Sequence, residues 1–418
     1  MKTSRRNFLG QVGLGAGALA LHPSLALPAE RSPLERIRIG CIGVGNQGRP
    51  NLGIHIKNTV AVCEVDSKRL GEAKTRVEKE TGKQCAAYGD YRKLLDDKNV
   101  DAVVITTPDH WHALMTIDAC AAGKDVYCEK PLTLTIAEGR AMVNAARKHR
   151  RIVQTGSQQR SDARFRQACE LVRNGKVGKV HTVKVGIPGV NFKGPAVPDG
   201  NPPAELDYDM WLGPAPKRPY NEKRVHYLFR FFWDYSGGQM TNFGAHHLDI
   251  AQWGLGMDDS GPVAAEGKAR YHAQHWYEVP EWCEVVWHYA NGVKMICTQG
   301  GRGGTEFIGD KGSLFVTRGK IEATPKEILT EKLPANAIRL YESKNHHANW
   351  LDCIRSRKLP ICDVEIGHRS ATVCHLGNIA IRSGKKIHWD PVKEQIVGDS
   401  ETARLVSKDY RAPWKLPG

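Results

Sequence analysis

An apolar run, Ile37 to Ile42, ends in Gly43-Val44-Gly45-Asn46-Gln47-Gly48, and a second apolar run, Val60 to Val65, carries an acid, Glu64, about twenty residues after the first glycine. No other feature limits the fold so tightly. Gly43 permits a sharp strand-to-helix turn, Gly45 lets backbone amides approach a pyrophosphate, and Gly48 lets the helix pack close to the strand. The pattern predicts a dinucleotide-binding βαβ unit with Asn46 and Gln47 in the cradle. Pro50 and Gly53 make the intervening helix a poor one and leave its boundaries open.

Glu64 at a strand tip can accept hydrogen bonds from both ribose hydroxyls of NAD and would repel a 2′-phosphate. Asp66 is a rival for that role. Lys68 and Arg69 would welcome a phosphate, so NADP stands behind NAD without being excluded.

The alternation of strand and helix continues downstream. Asp101 to Thr106 reads as a buried strand, Ala113 to Ala122 as an apolar helix, Lys124 to Cys128 as a strand, and Thr135 with Glu138 forms a capping box opening another helix. Ile152 to Thr155 closes the unit, which predicts a doubly wound parallel sheet over residues 36–155 with its ligand at the carboxyl ends of the strands. Thr107-Pro108-Asp109-His110-Trp111-His112 and Glu129-Lys130-Pro131 both fall at such ends.

Beyond Gln154 the pattern shifts to longer loops and β-like runs: Val180 to Val185, Trp282 to Tyr289, Val293 to Thr298 after an Asn291-Gly292 turn, and Gly312 to Val316. These predict a second α+β domain, residues 156–418, built on a mostly antiparallel sheet. Helices are expected from Asn345 to Arg355 and from Ile366 to Arg382, the latter ending at Gly384, and the last thirty residues read as an extended arm.

The N-terminus carries Ser4-Arg5-Arg6-Asn7-Phe8-Leu9, a glycine-diluted apolar stretch to Leu21, and small residues around Ala26 and Ala29. This is the pattern of a twin-arginine signal over residues 1–30, read by the Tat machinery, and it implies export to the periplasm in folded form. No run is long and uncharged enough for stable membrane insertion. Eleven single cysteines without a Cys-x-x-Cys pair argue against a disulfide framework and against structural zinc. The net charge of +15 is spread along the chain without a nucleic-acid motif, so nucleic acid is not an expected partner.

The glycine fingerprint, the Thr-Pro-Asp-His-Trp-His turn and Glu-Lys-Pro after the next strand, in this order and spacing, resemble the Gfo/Idh/MocA family of oxidoreductases over essentially the whole mature chain. The resemblance implies that Lys130 is catalytic, beside nicotinamide, where burial and the ring's charge lower its pKa. It also implies a catalytic histidine at His246 and a homo-oligomer, dimer or tetramer, built on the second domain's sheet. Thr107, Pro108, His110, Trp111, His112 and Glu129 would shape the cofactor pocket. Asn242 falls where many relatives carry aspartate; an amide orients a hydroxyl but takes no proton, which shifts base duty to His246 or Lys130.

Residues four apart share a helix face, so Asn242 and His246 are expected to point together, with His246 near its ordinary pKa of about 6.5. No metal is expected: His246, His247 and Asp249 lack the i, i+4 histidine pair of a zinc helix, and neither His346-His347 nor His110-x-His112 makes a site alone. Aromatic and basic residues from Trp211 and Tyr220 to Trp233 suit a sugar ring, though a plain aromatic core accounts for about half of them. Arg160, Arg230, Trp211 and His247 are the expected substrate contacts. The resulting expectation is an exported oxidoreductase with retained NAD, acting on a secondary hydroxyl of a sugar, glycoside or cyclic polyol. A glycoside hydrolase or lyase working through transient hydroxyl oxidation is the alternative.

Overall fold

The computed structural model describes residues 36–192 and 194–417. The expected twin-arginine signal, residues 1–30, lies outside the described residues.

Six parallel strands form the first sheet, in the order β3-β2-β1-β4-β5-β6: β1 Ile39–Ile42, β2 Thr59–Cys63, β3 Ala86–Tyr88, β4 Ala102–Ile105, β5 Asp125–Cys128 and β6 Val153–Thr155. β1, β4 and β5 are buried at every position because helices cover both faces, which is why their sequences read as unbroken apolar runs. The connecting helices are α1 Gly48–His55, α2 Ser67–Thr81, α3 Tyr91–Asp96, α4 Asp109–Ala121 and α5 Ile136–Lys148. Strand order reverses between β1 and β4, so a crevice opens at the carboxyl ends of these two strands.

Local chemistry accounts for the helix boundaries. Pro50 sits in the first turn of α1, where its missing N–H is not needed, so α1 forms despite its composition. The Thr135–Glu138 capping box is present at α5. α4 starts four residues earlier than the apolar pattern suggests, directly after Pro108, so the Asp-His-Trp-His stretch is its first turn rather than a loop. β3 and α3 were not expected; three and six residues give no periodic signal.

After α6 (Ala163–Arg173) comes the second sheet: β7 Val180–Ile187, β8 Ala264–Arg270, β9 Trp282–His288, β10 Lys294–Gln299, β11 Gly304–Gly309, β12 Gly312–Thr317, β13 Lys320–Thr324, β14 Ile387–Asp390 and β15 Gln395–Val397. Its order is β13-β12-β11-β7-β10-β9-β8-β14-β15, antiparallel except for the β7–β10 pair. One face packs on α6, α9 (Gly244–Leu255) and α11 (Val364–Ser383), which explains the alternating burial along β9. The short helices α7 (Tyr208–Leu212) and α8 (Gly238–Asn242) and the longer α10 (His346–Ser356) complete the architecture.

The second segment also contributes to the first core. Trp350 and Cys353 of α10 pack with Ile39, Val62, Val104 and Tyr127, so a C-terminal helix fills a face of the N-terminal sheet. The terminal arm lies along its own chain: Trp414 meets Trp111 edge-on at 4.9 Å, and the Tyr410 hydroxyl donates to Glu138. No helix among the described residues is long and apolar enough to cross a membrane. All eleven cysteines are free and buried.

Candidate active site

A cavity of about 360 Å³ runs from the glycine turn to the junction of α8 and α9. At the glycine end, Gly43 holds φ +79°, and a Cβ at Gly48 would lie 2.1 Å from the Gly43 carbonyl oxygen, so both positions require glycine. Gln47 precedes α1 without making a side-chain cap, and the amides of Gly45, Asn46 and Gln47 find no acceptor among the described residues. An uncapped helix N-terminus with free amides is a ready site for a pyrophosphate.

Glu64 and Asp66 both line this end, but in different ways. Glu64 receives the amides of Val44 and Val65 at 3.1 and 2.9 Å, and burial pushes its carboxyl up. Asp66 caps α2 by accepting the amides of Lys68 and Arg69 and pairs with the Arg69 guanidinium. Glu64 is therefore the better placed ribose acceptor. The Thr107 hydroxyl is buried and has no partner among the described residues, and Thr107 lines the cavity. These groups fit a dinucleotide.

At the other end, Lys130 follows β5, with its Nζ donating to the backbone oxygen and Oδ1 of Asn242 at 3.0 and 2.9 Å. Asn242 is oriented in turn by donating from Nδ2 to Gln239. Burial lowers the Lys130 pKa; Glu129 and Asp109 oppose the shift, and the guanidinium charges of Arg230 and Arg318 reinforce it. Glu129 accepts from Asn51 Nδ2. Asp109, buried in the first turn of α4, accepts from the Ser236 hydroxyl, and burial raises its carboxyl pKa.

Asn242 and His246 do line the cavity together, but from two helices. Asn242 ends α8, Phe243 makes the joint, and His246 lies in the first turn of α9. Neither ring nitrogen of His246 has a partner among the described residues. Burial, then Lys130 and Arg318, push its pKa well below the usual value, so the imidazole is neutral, a hydrogen-bond acceptor and a weak base, rather than poised near 6.5.

Several expected contacts lie elsewhere. Arg160 is 1 % exposed and paired with Asp249 and Asp258 at 2.7 Å each; it ties the turn at residues 158–161 to α9 and does not line the cavity. A guanidinium in an ordinary Gly-Ser-Gln-Gln-Arg turn gives no sign in sequence that two distant carboxylates meet it. His247 is buried and does not line the cavity; burial, then the charge of Arg318, drops its pKa to about 4. His110 and His112 act as braces: His110 Nε2 lies 3.0 Å from the Trp211 carbonyl oxygen, while His112 spans the carbonyls of Pro131 and Thr107 at 2.9 Å each. Pro108, Trp111, Trp211 and Arg230 do line the cavity. So do Tyr227 and Phe229, whereas Phe231 and Phe232 belong to the aromatic core. Arg318 and Asp109 line it without having been expected, and so does His226 of the aromatic-basic cluster. The aromatic-basic cluster marked the surroundings of His226, but nothing local marks Arg318, in a two-residue turn between β12 and β13.

Comparison with known proteins agrees with this architecture. The profile of the Gfo/Idh/MocA oxidoreductase family's NAD-binding Rossmann fold matches residues 37–157, and that of its C-terminal alpha/beta domain matches residues 161–416. The chain belongs to the Gfo/Idh/MocA oxidoreductase family, and its first domain is an NAD-binding Rossmann domain. It is similar to a myo-inositol 2-dehydrogenase of Thermotoga maritima, 34 % identical over 157 residues that make up 36 % of this chain and 44 % of that protein. The match thus spans less than half the length of that curated relative. A scyllo-inositol 2-dehydrogenase (NAD(+)) of Bacillus subtilis is 26 % identical over 78 % of this chain and 88 % of its own. Among solved structures, the WlbA dehydrogenase of Bordetella pertussis in complex with NADH and UDP-GlcNAcA has the same fold, with TM-score 0.63 and 19 % identity, covering 85 % of this chain and 99 % of that one.

Proposed function

We propose that this protein oxidises a secondary hydroxyl of a sugar, glycoside or cyclic polyol, with Lys130 and His246 managing the hydroxyl proton. The observation that carries the proposal is the Lys130 ammonium, held on Asn242 with a lowered pKa beside a neutral, unpartnered His246. NAD, when bound, supplies the acceptor for the hydride leaving the hydroxyl-bearing carbon. Asn242 fixes the lysine without adding a negative charge that would hold it protonated. Lys130 Nζ takes up the hydroxyl proton in its neutral form, and His246 offers a second acceptor at the same end of the cavity. The inositol dehydrogenases among its relatives favour a cyclic polyhydroxylated substrate.

Export through the twin-arginine pathway to the periplasm, with the nucleotide carried inside, is part of this reading. It is supported by the leader and by a strap over the nucleotide end: Ser67 N donates to Glu205 O and Asp207 N to Val65 O, at 2.9 and 3.0 Å, and His226 lines the same end. A homo-oligomer is supported by the outer face of the second sheet, where Val286, Ile296 and Ile308 are only half-buried.

The test is to denature the purified protein, identify any nucleotide released, and incubate the native protein with inositols, sugars and aryl glycosides without added cofactor. Released NAD and a keto product abolished by Lys130→Ala are expected. Liberated phenol would assign the glycosidase or lyase chemistry instead, and activity requiring added NAD would refute retention. Arg5→Lys with Arg6→Lys should keep the protein in the cytosol.

A further inference from the structure

The reacting end of the cavity carries more positive than negative charge. Lys130, Arg230 and Arg318 line it together, and both guanidinium charges act on Lys130. The carboxylates near them are Asp109 and Glu129, and each already accepts a hydrogen bond, from Ser236 and Asn51 respectively. Neither arginine makes an ion pair among the described residues; Asp109 is near enough to act on Arg230, and Arg318 has no carboxylate acting on it. A dinucleotide's phosphates belong at the free amides of the α1 N-terminus, so they leave this surplus uncompensated.

Both guanidiniums are held in place. Gly319, with φ +82°, completes the two-residue turn between β12 and β13 that presents Arg318 at the cavity. Arg318 Nε donates to Gln159 Oε1 at 3.0 Å, Gln159 is itself buried and anchored on the His246 carbonyl oxygen, and the guanidinium lies 5.6 Å from the Phe243 ring centroid. The two terminal nitrogens of Arg318 have no acceptor among the described residues. Arg230 stacks at 3.9 Å on the Tyr227 ring and donates from one terminal nitrogen to the Tyr227 carbonyl, and its Nε and other terminal nitrogen have no acceptor among the described residues. A planar fork fixed at one nitrogen and free at two others is suited to bidentate binding of a carboxylate or phosphate.

We infer that the substrate bears an anionic substituent, a carboxylate or a phosphate, gripped by Arg318 with Arg230 as the second donor. This rests on the sugar-oxidising reading above and narrows its substrate class to acidic sugars. Arg318 is then a specificity-determining residue, holding the sugar while Lys130 meets its hydroxyl.

The test compares D-glucose, D-galactose and D-mannose with their uronic acids and their 6-phosphates, by kcat/KM and by ligand-induced thermal shift, in wild type, Arg318→Gln and Arg318→Lys. The wild type should favour an acidic member over its neutral parent by about tenfold to a hundredfold, as charge-assisted hydrogen bonds do. Uronic acid against phosphate tells which anion is meant. The preference should fall at least about tenfold in Arg318→Gln, mainly through KM, and return in part in Arg318→Lys. If Arg318→Gln does not fold, loss of the wild-type preference between low and high salt gives the same answer. A neutral parent oxidised as well as its acid would overturn the inference and leave the dehydrogenase reading intact. Oxidation and binding of none would overturn both.

Discussion

At Asn242, a neutral amide rather than an acid sets the state of Lys130, the proposed base. Asn242 Oδ1 accepts from Lys130 without contributing charge, so burial is free to lower the lysine pKa. Asn242→Asp should raise it, because a carboxylate at hydrogen-bond distance stabilises the ammonium. The neutral base then appears only at higher pH, and the rising limb of the pH–rate profile for oxidation should move upward by about one to three pH units. An unmoved limb would rule Lys130 out as the titrating base. His246 should add no inflection near 6.5, since its pKa lies well below that. Arg160 belongs to the scaffold. Arg160→Ala strips the buried Asp249 of its guanidinium partner, which costs about 3–5 kcal/mol. Calorimetry should register that loss as a lower melting temperature, while KM at a temperature where the variant is folded stays unchanged; a raised KM would return Arg160 to the substrate site.

Between elements, charged networks tie the two domains. Arg140 on α5 reaches Glu365 on α11 and Glu394 before β15 at 2.7 and 2.8 Å, and Arg369 joins both carboxylates. Burial alone would push Glu365 up, but the hydrogen bonds from Arg140 and Arg369 outweigh it and pull the carboxyl down to about 2. A carboxyl whose folded pKa lies below its unfolded value of 4.5 stabilises fully above that value. That contribution disappears as pH falls from about 4.5 through about 2. Thermal melts across this window should show a steep fall in stability, flattened in Glu365→Gln; identical slopes would show that the network contributes nothing. Element boundaries were legible wherever chemistry is local, as at the Thr135 capping box and Gly384, which takes the left-handed conformation after α11. They were not legible at β3 or at the α8–α9 joint, because short pieces are held by neighbours rather than by their own periodicity.

For the whole molecule, the chain does not divide cleanly after β6. Trp350, fully buried, returns from α10 to the core beneath β1 and β4. Residues 36–157 alone should therefore lack a cooperative melting transition, and Trp350→Ala in the full chain should destabilise it by about 3–5 kcal/mol; a fragment that melts cooperatively would show the first domain to be self-sufficient. The parallel sheet, the glycine turn and the place of Glu64 and Lys130 at the cavity could be read from sequence alone, since each depends on a turn or strand end spelled out by adjacent residues. What only the tertiary structure decided is which distant groups meet. It set Arg160 against two carboxylates, turned His246 neutral and brought Arg318 to the cavity, because burial and charge pairing depend on neighbours that are remote along the chain and adjacent only once it has folded.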